Sequence, residues 1–347
     1  MKRHLLFIAA LLIVNLAASA QKKFSVYAVG FYNQENLFDT CHDEGKKDYE
    51  YLPNKGWNGM KYTNKLRNMS KALADMGTDV LPNVGCAFIG LSEVENHKVL
   101  DALVDQAPLK ARNMKYVHIE GPDRRGIDCA LLYNPSLFSV KNVKLLPYVQ
   151  ELAKDSAFFT RGFLTVRGEM AGDDVAVIVC HWPSRFSGPF YRESAARQVK
   201  VIKDSLLNVN QEMKIFVMGD MNDDPVNKSM HVYLQAKPEI SQVGAGDMYN
   251  PWYNVLAKEG KGTLFYSGNW NLFDQIVITP NLLNKDAKKK DYSSLKYWKS
   301  HIFRRDYLIQ QEGQYKGAPL RTTAGGRWLN GYSDHLPVVM YLVKEKK

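Results

Sequence analysis

Apolar residues run together at Phe24–Tyr32, Cys86–Leu91, Cys129–Tyr133, Asp174–Cys180, Lys214–Met218, Leu272–Ile278 and Leu336–Val343. These runs are rich in Val, Ile and aromatic side chains and are bounded by Gly, Pro or Asn, a pattern that predicts strands. Between them the apolar period lengthens. In Lys61–Gly77, Leu66, Met69, Leu73 and Met76 recur at helical spacing and Gly77 marks a C-terminal stop; in Tyr191–Leu207, Ala195, Ala196, Val199, Ile202 and Leu206 do the same. Such Met and Leu stripes are read as core-facing surfaces. Strands with helices between them predict a layered α/β sandwich whose strand-end loops gather at one edge.

The first residues follow a different logic. Met1-Lys2-Arg3-His4 leads into an apolar run from Leu5 to Ala18, broken only by Asn15, and then Ala18-Ser19-Ala20 precedes Gln21. A basic start, a short apolar stretch and small residues at a cleavage point predict a secretory signal peptide over residues 1–20 and a periplasmic or secreted protein. An uncleaved membrane anchor is the other reading, although the apolar stretch is short for a span. The residue directly after the cleavage point is Gln21 and not a cysteine, which argues against a lipid anchor. Residues 21–347 contain no linker, repeat or low-complexity stretch, so a single domain is expected, with no transmembrane segment and no stable protein partner.

Composition changes this picture little. The chain has 46 basic and 36 acidic residues, a formal charge of +10 that falls to +8 without Lys2 and Arg3. A mild excess suits an anionic partner or simple solubility and does not by itself point to nucleic acid. Within Asn281–Trp328, Lys288-Lys289-Lys290, Arg304, Arg305 and Arg321 are interleaved with Tyr292, Tyr297 and Trp298. That mixture is compatible with tracking a phosphate backbone and equally with a solvated surface excursion. Cys41, Cys86, Cys129 and Cys180 lack zinc-site spacing. Cys129 and Cys180 are expected as buried thiols, and Cys41 with Cys86 is the disulfide considered. No Gly-x-Ser-x-Gly elbow, complete P-loop or His-Glu-x-x-His helix is present.

The candidate chemistry lies where apolar runs end. Gly219-Asp220-Met221-Asn222 follows a strand, so continued extended geometry would put Asp220 and Asn222 on one side, able to hold a water and a phosphoryl oxygen. Ser333-Asp334-His335 precedes the terminal strand and pairs a carboxylate with an imidazole that can protonate a leaving group or stabilise phosphate charge. His181-Trp182-Pro183-Ser184-Arg185 brings cations beside the same edge, and Arg185 is the candidate for a bidentate phosphate clamp. In the turn Gly121–Asp128, Arg125 and Asp128 either line the mouth or pair with each other.

Together with Asn33-Gln34-Glu35, Ser92-Glu93 and Asp274, these ordered motifs resemble the endonuclease/exonuclease/phosphatase superfamily, the deoxyribonuclease I-like enzymes, and the arrangement is similar to an exported bacterial branch. The resemblance covers nearly the whole chain after residue 20. It implies a four-layer αββα sandwich and hydrolysis of a phosphoester by an activated water with a divalent cation, Mg²⁺, with Mn²⁺ or Ca²⁺ able to substitute. By the same resemblance Asn33 positions the phosphate, and Glu93, Glu35 and Asp334 lie on the metal side. His181 contacts phosphate, Asp220 orients or deprotonates water with Asn222 as partner, and Asp274 orients His335.

Three functions follow. The first is an exported metal-dependent nuclease acting on nucleic-acid phosphodiesters. The second keeps the chemistry on a lipid or other small phosphoester, as in sphingomyelinases. The third is a non-catalytic binding protein on the same fold. Substrate, endo or exo action, number of metal ions and oligomeric state are not legible.

Overall fold

The computed structural model describes residues 23–149, 151, 158–286 and 288–346. The expected signal peptide, residues 1–20, lies outside them. In chain order the strands are β1 (Phe24–Leu37), β2 (Phe88–Val94), β3 (Lys115–His118), β4 (Asp128–Tyr133), β5 (Phe138–Leu146), β6 (Phe163–Met170), β7 (Asp173–His181), β8 (Lys214–Asp220), β9 (Ala236–Lys237), β10 (Met248–Tyr249), β11 (Leu264–Tyr266), β12 (Asn269–Asn271), β13 (Asp274–Ile278), β14 (Lys296–Ile302), β15 (Thr323–Ala324), β16 (Arg327–Trp328) and β17 (Val338–Glu345). The α-helices are α1 (Gly59–Asp75), α2 (His97–Val104), α3 (Ala107–Lys110), α4 (Pro189–Val209) and α5 (Tyr253–Ala257).

Two large sheets form, one in the order β14-β17-β1-β2-β4-β3 and the other β5-β6-β7-β8-β13-β10-β9. Side-chain alternation explains their stacking. Val29, Phe31, Phe88, Leu131, Val338 and Met340 of the first sheet pack against Val177, Val179, Phe216, Met218, Ile276 and Ile278 of the second. The opposite faces are apolar too. Ala28, Tyr32, Ile89 and Leu91 meet Leu66, Met69 and Leu73 of α1 and Val99, Leu100 and Leu103 of α2. Ala176, Ile178, Ile215 and Val217 meet Ala195, Ala196 and Val199 of α4. Helix, sheet, sheet, helix is the four-layer αββα sandwich, and burial on both faces is why the central strands read as continuous apolar runs.

Each sheet has one parallel pair at its centre, β1 with β2 and β7 with β8. A parallel pair needs a crossover, supplied by α1 in one sheet and α4 in the other. The C-terminal ends of all four strands therefore rise at the same end of the sandwich. The antiparallel neighbours β13 and β17 begin there, since Asp274 pairs with Asp220 and Val338 with Phe31.

The four cysteines are free thiols, which corrects the Cys41–Cys86 pairing. Cys86 is buried before the start of β2 while Cys41 is exposed beyond the end of β1, so the length of a strand separates them. Cys129 and Cys180 are buried as read. The lysine run also moves. In β14, Lys296 pairs with Val343 and Ile302 with Val338, so Lys288-Lys289-Lys290 precede the end of β14 that lies away from the rising strand ends. Tyr297 packs edge-on against Tyr249 instead of facing solvent.

Candidate active site

The backbone at the mouth departs from regular strand. Glu35, Asn36, Glu93 and Asn222 all adopt positive φ, between 46° and 59°. Non-glycine residues there carry strain, and four at one mouth mark a place where side-chain direction outranks backbone comfort. In β1 and β2 the distortion is a register shift between Asn33 and Leu37. At Asn222 it ends the extended geometry expected after β8. The Asn222 amide N–H turns back to Asp220 Oδ1 at 2.9 Å, and its side chain donates to the Trp182 carbonyl at 3.0 Å.

Asp220 is the hub. Asn33 Nδ2 donates to its Oδ2 at 3.0 Å, and the Nε2 atoms of His181 and His335 lie 3.7 and 3.8 Å from the same oxygen. Its backbone is pinned as well, the Trp182 N–H donating to the Asp220 carbonyl at 3.0 Å. Burial, opposed by His335 and reinforced by Asp274, pushes the Asp220 carboxyl up to about 7.

The two histidines are held in different charge states. Burial works against charge on His335, yet Asp274 and Asp220 outweigh it and raise its pKa well above the ordinary imidazole value. Its Nδ1 donates to Asp274 Oδ2 at 2.7 Å, leaving Nε2 facing the mouth. His181 has no such carboxylate behind it. Burial, with Arg161 and Arg125 nearby, holds its pKa well below the ordinary value, so it is neutral. Arg161 is itself buried, bridging Asp123 at 3.0 Å and the Trp182 carbonyl at 2.9 Å.

The carboxylates expected on the metal side fall into two groups. Glu93 accepts the Asn36 N–H at 3.0 Å through Oε2, and its Oε1 stands 3.7 Å from His181 Nε2 with part of the side chain open to solvent. Glu35 and Asp334 are instead joined by Arg321, whose Nε donates to Glu35 Oε1 at 3.0 Å and Nη2 to Asp334 Oδ2 at 3.1 Å. The Thr322 N–H fills the second Glu35 oxygen at 2.6 Å. Behind Glu35 lies Lys65, fully buried, with Nζ 3.9 Å from the carboxylate and donating to Thr322 Oγ1 and the Tyr332 carbonyl. Burial pulls Lys65 down to about 8 against the upward pull of Glu35 and Asp334.

This donor set tests what ion the mouth can take. Among the described residues no three His, Cys, Asp or Glu side chains come together to cage a metal. One partly exposed carboxylate, Glu93, with hard oxygen donors, fits an ion such as Mg²⁺ that keeps most of its hydration shell.

Arg185 is not free to clamp phosphate. Its donors go to the Asn222 carbonyl, Asn271 Oδ1 and Asp224 Oδ2 at 3.2, 3.0 and 2.8 Å, and its plane lies 4.4 Å over Phe273. With Asn227 Oδ1 at 3.3 Å the guanidinium is committed to four acceptors, and it braces the turn that carries Asn222 against β12. Arg125 and Asp128 do not pair, since Asp128 takes the Gly121 N–H at 3.0 Å and faces His118 at 3.1 Å. In the sequence Arg321 stands out only as part of the basic excursion, and no local signal marks Lys65 or Arg161.

Two crevices meet at Arg321. One, of about 230 Å³, is lined by Glu35, Asn36, Tyr51, Lys55, Trp57 and Lys61. The other, of about 390 Å³, runs from Asp334 past Phe265, Tyr266 and Tyr315.

A two-sheet sandwich with a mouth of carboxylates, amides and imidazoles is the phosphoester-hydrolase fold of the deoxyribonuclease I type. The chain belongs to the Endonuclease/Exonuclease/phosphatase family, whose family model matches residues 28–344. No curated protein matches the sequence. Solved structures share the fold at low identity. A Bacteroides thetaiotaomicron endonuclease/exonuclease/phosphatase family protein is 14% identical with a TM-score of 0.55, covering 94% of this chain and 100% of its own. D. rerio TDP2 complexed with a single-strand DNA product is 11% identical with a TM-score of 0.53, covering 92% and 99%. A Bacteroides thetaiotaomicron mannosyl-6-phosphatase is 14% identical with a TM-score of 0.53, covering 91% and 99%.

Proposed function

We propose that this protein is an exported, divalent-metal-dependent phosphodiesterase in which Asp220 directs a water onto phosphorus. The observation that carries the reading is the buried Asp220 carboxylate, held by Asn33 and Asn222, within 4 Å of both imidazoles, with its pKa raised to about 7. A carboxyl so placed accepts a proton near neutral pH while its two amide partners fix its direction. His335, kept cationic by Asp274, offers Nε2–H to a phosphoryl oxygen and gathers the charge that develops there. Neutral His181 supplies a further contact to phosphate without adding charge. A bound Mg²⁺, or Mn²⁺ or Ca²⁺ in its place, would be held by Glu93 and would supply charge neutralisation on the phosphoryl group.

Nucleic acid is the first substrate to test. Crevices on both sides of Arg321 accommodate a group on each side of a phosphodiester, and one fold relative is the TDP2 complex with a DNA product. A small phosphoester is the second reading, supported by the remoteness of Lys288-Lys289-Lys290 from the mouth. The decisive assay is nicking of supercoiled plasmid by the protein with Mg²⁺, beside a chromogenic bis-aryl phosphodiester, with EDTA and Asp220→Asn as controls. Nicking lost in both controls supports the nuclease. Turnover of the aryl diester alone moves the substrate to small phosphoesters, and no metal-dependent turnover of either, or turnover that survives Asp220→Asn, overturns the reading.

A further inference from the structure

We propose that Arg321 is the built-in cation of this mouth: it takes a phosphoryl oxygen of the substrate and fills the space between Glu35 and Asp334, so that the site takes a single divalent ion, at Glu93. The inference rests on reading the mouth as a phosphoester site, and its geometric part stands on contacts already described.

The charges around Arg321 close on themselves. Glu35 and Asp334 supply two negative charges; Arg321, on Nε and Nη2, and Lys65, 3.9 Å behind Glu35, supply two positive ones. A divalent ion entering between the two carboxylates would have to expel the guanidinium and would then share them with a buried ammonium, leaving one negative charge against its own two positive ones. The Thr322 N–H already occupies the second Glu35 oxygen. Glu93 differs. Its carboxylate forms no ion pair with a Lys or Arg among the described residues, and its side chain, with Oε1 3.7 Å from His181 Nε2, is partly open to solvent, so a hydrated ion gains most there.

Arg321 also presents what a phosphate needs. Two of its nitrogens are fixed by carboxylates, which pre-orients the guanidinium plane, and Nη1 has no protein acceptor among the described residues. The side chain is 41% exposed and lines both crevices. A planar donor held on one edge and open on the other is the geometry that binds phosphoryl oxygens with little ordering cost. Arg185, the phosphate clamp expected from the sequence, has its donors spent elsewhere.

The test counts ions and measures phosphate affinity separately from turnover. Mn²⁺ is titrated into the protein and free Mn²⁺ is read by electron paramagnetic resonance; inorganic phosphate is then titrated calorimetrically with Mn²⁺ present. One Mn²⁺ per chain is expected, abolished in Glu93→Gln and retained in Arg321→Gln, with phosphate affinity down at least about tenfold in Arg321→Gln. Arg321→Lys keeps the charge between the carboxylates and loses the fork, so it should bind Mn²⁺ as the parent does and fall between the two in phosphate affinity. It carries the test if circular dichroism shows that the Gln variant does not fold. Two Mn²⁺ ions in the parent, one of them lost in Glu35→Gln or Asp334→Asn, would overturn the proposal, as would unchanged phosphate affinity in the Arg321 variants. Failure to hydrolyse any phosphoester would remove the proposed function while leaving the ion count and phosphate binding to be read.

Discussion

As the proposed base, Asp220 should couple turnover to pH. A base acts when unprotonated, and burial has raised this carboxyl to about 7, so kcat/KM should climb as pH rises through about 7. A profile flat across that range would remove Asp220 from the base role. Stability runs the other way. The folded chain holds a proton that the unfolded chain, with its carboxyl near 3.8, has already lost, so the fold loses stability as pH rises from about 4 to 7. Asp220→Asn should therefore abolish turnover yet unfold on the order of 2 kcal/mol later at pH above about 7, as measured by urea denaturation. Asp274→Asn removes the charge behind His335 and should lower kcat about a hundredfold, with less change in KM. An unchanged kcat would separate Asp274 from the chemistry. Asn33, Glu93, His181, Asp220, Asn222, Asp274 and His335 were all legible as polar residues ending apolar runs, and the structure gathers them. Arg321 and Lys65 were not, because Arg321 meets Glu35 across 286 positions of chain and a lysine beside Leu66 in a helix reads as solvent-facing.

Among the elements, Gly219 limits how closely β7 and β8 pair. A Cβ there would lie 2.2 Å from the Cys180 carbonyl oxygen, which is backbone and cannot yield. Gly219→Ala should destabilise the fold by about 3 kcal/mol and displace Asp220; a variant with parental stability and activity would show that the strands have slack. Asn96 caps α2, its Oδ1 accepting from the Lys98 and Val99 N–H groups at 2.9 and 3.2 Å. Asn96→Ala should cost about 1 kcal/mol in denaturant titration with turnover retained. The sequence pattern located the strands buried on both faces and the two long helices. It passed over β5 and β14, which are edge strands where Lys, Ser and Asn break the apolar run, and β6, where Thr165, Arg167 and Glu169 alternate with core residues. The eight-residue α2 was missed because so short an element shows barely two turns of period.

At the scale of the whole molecule, the layers are joined by apolar side chains. Metal removal should abolish turnover while leaving the circular dichroism spectrum intact, and Mg²⁺ at about ten times its dissociation constant should stabilise the fold by about 1.4 kcal/mol, an effect lost in Glu93→Gln. Loss of secondary structure on chelation would mean that the ion is structural. The αββα architecture followed from the alternation of strand and helix patterns together with the family motifs. The course of the mouth did not, because it depends on which loops face Arg321, a matter of tertiary packing to which no local period responds.

The placement of β17 has a consequence for the order in which the site comes into being. This strand fills the gap between β14 and β1, and Asp334 and His335 lie just before it, while Asn33 stands on β1, some 300 residues earlier. A chain still emerging from the ribosome therefore owns its amides and Glu93 but neither the imidazolium nor the strand that closes its first sheet. Asp334, His335 and β17 are the last of these parts to be made, so the mouth that gathers them cannot assemble until they have followed the rest.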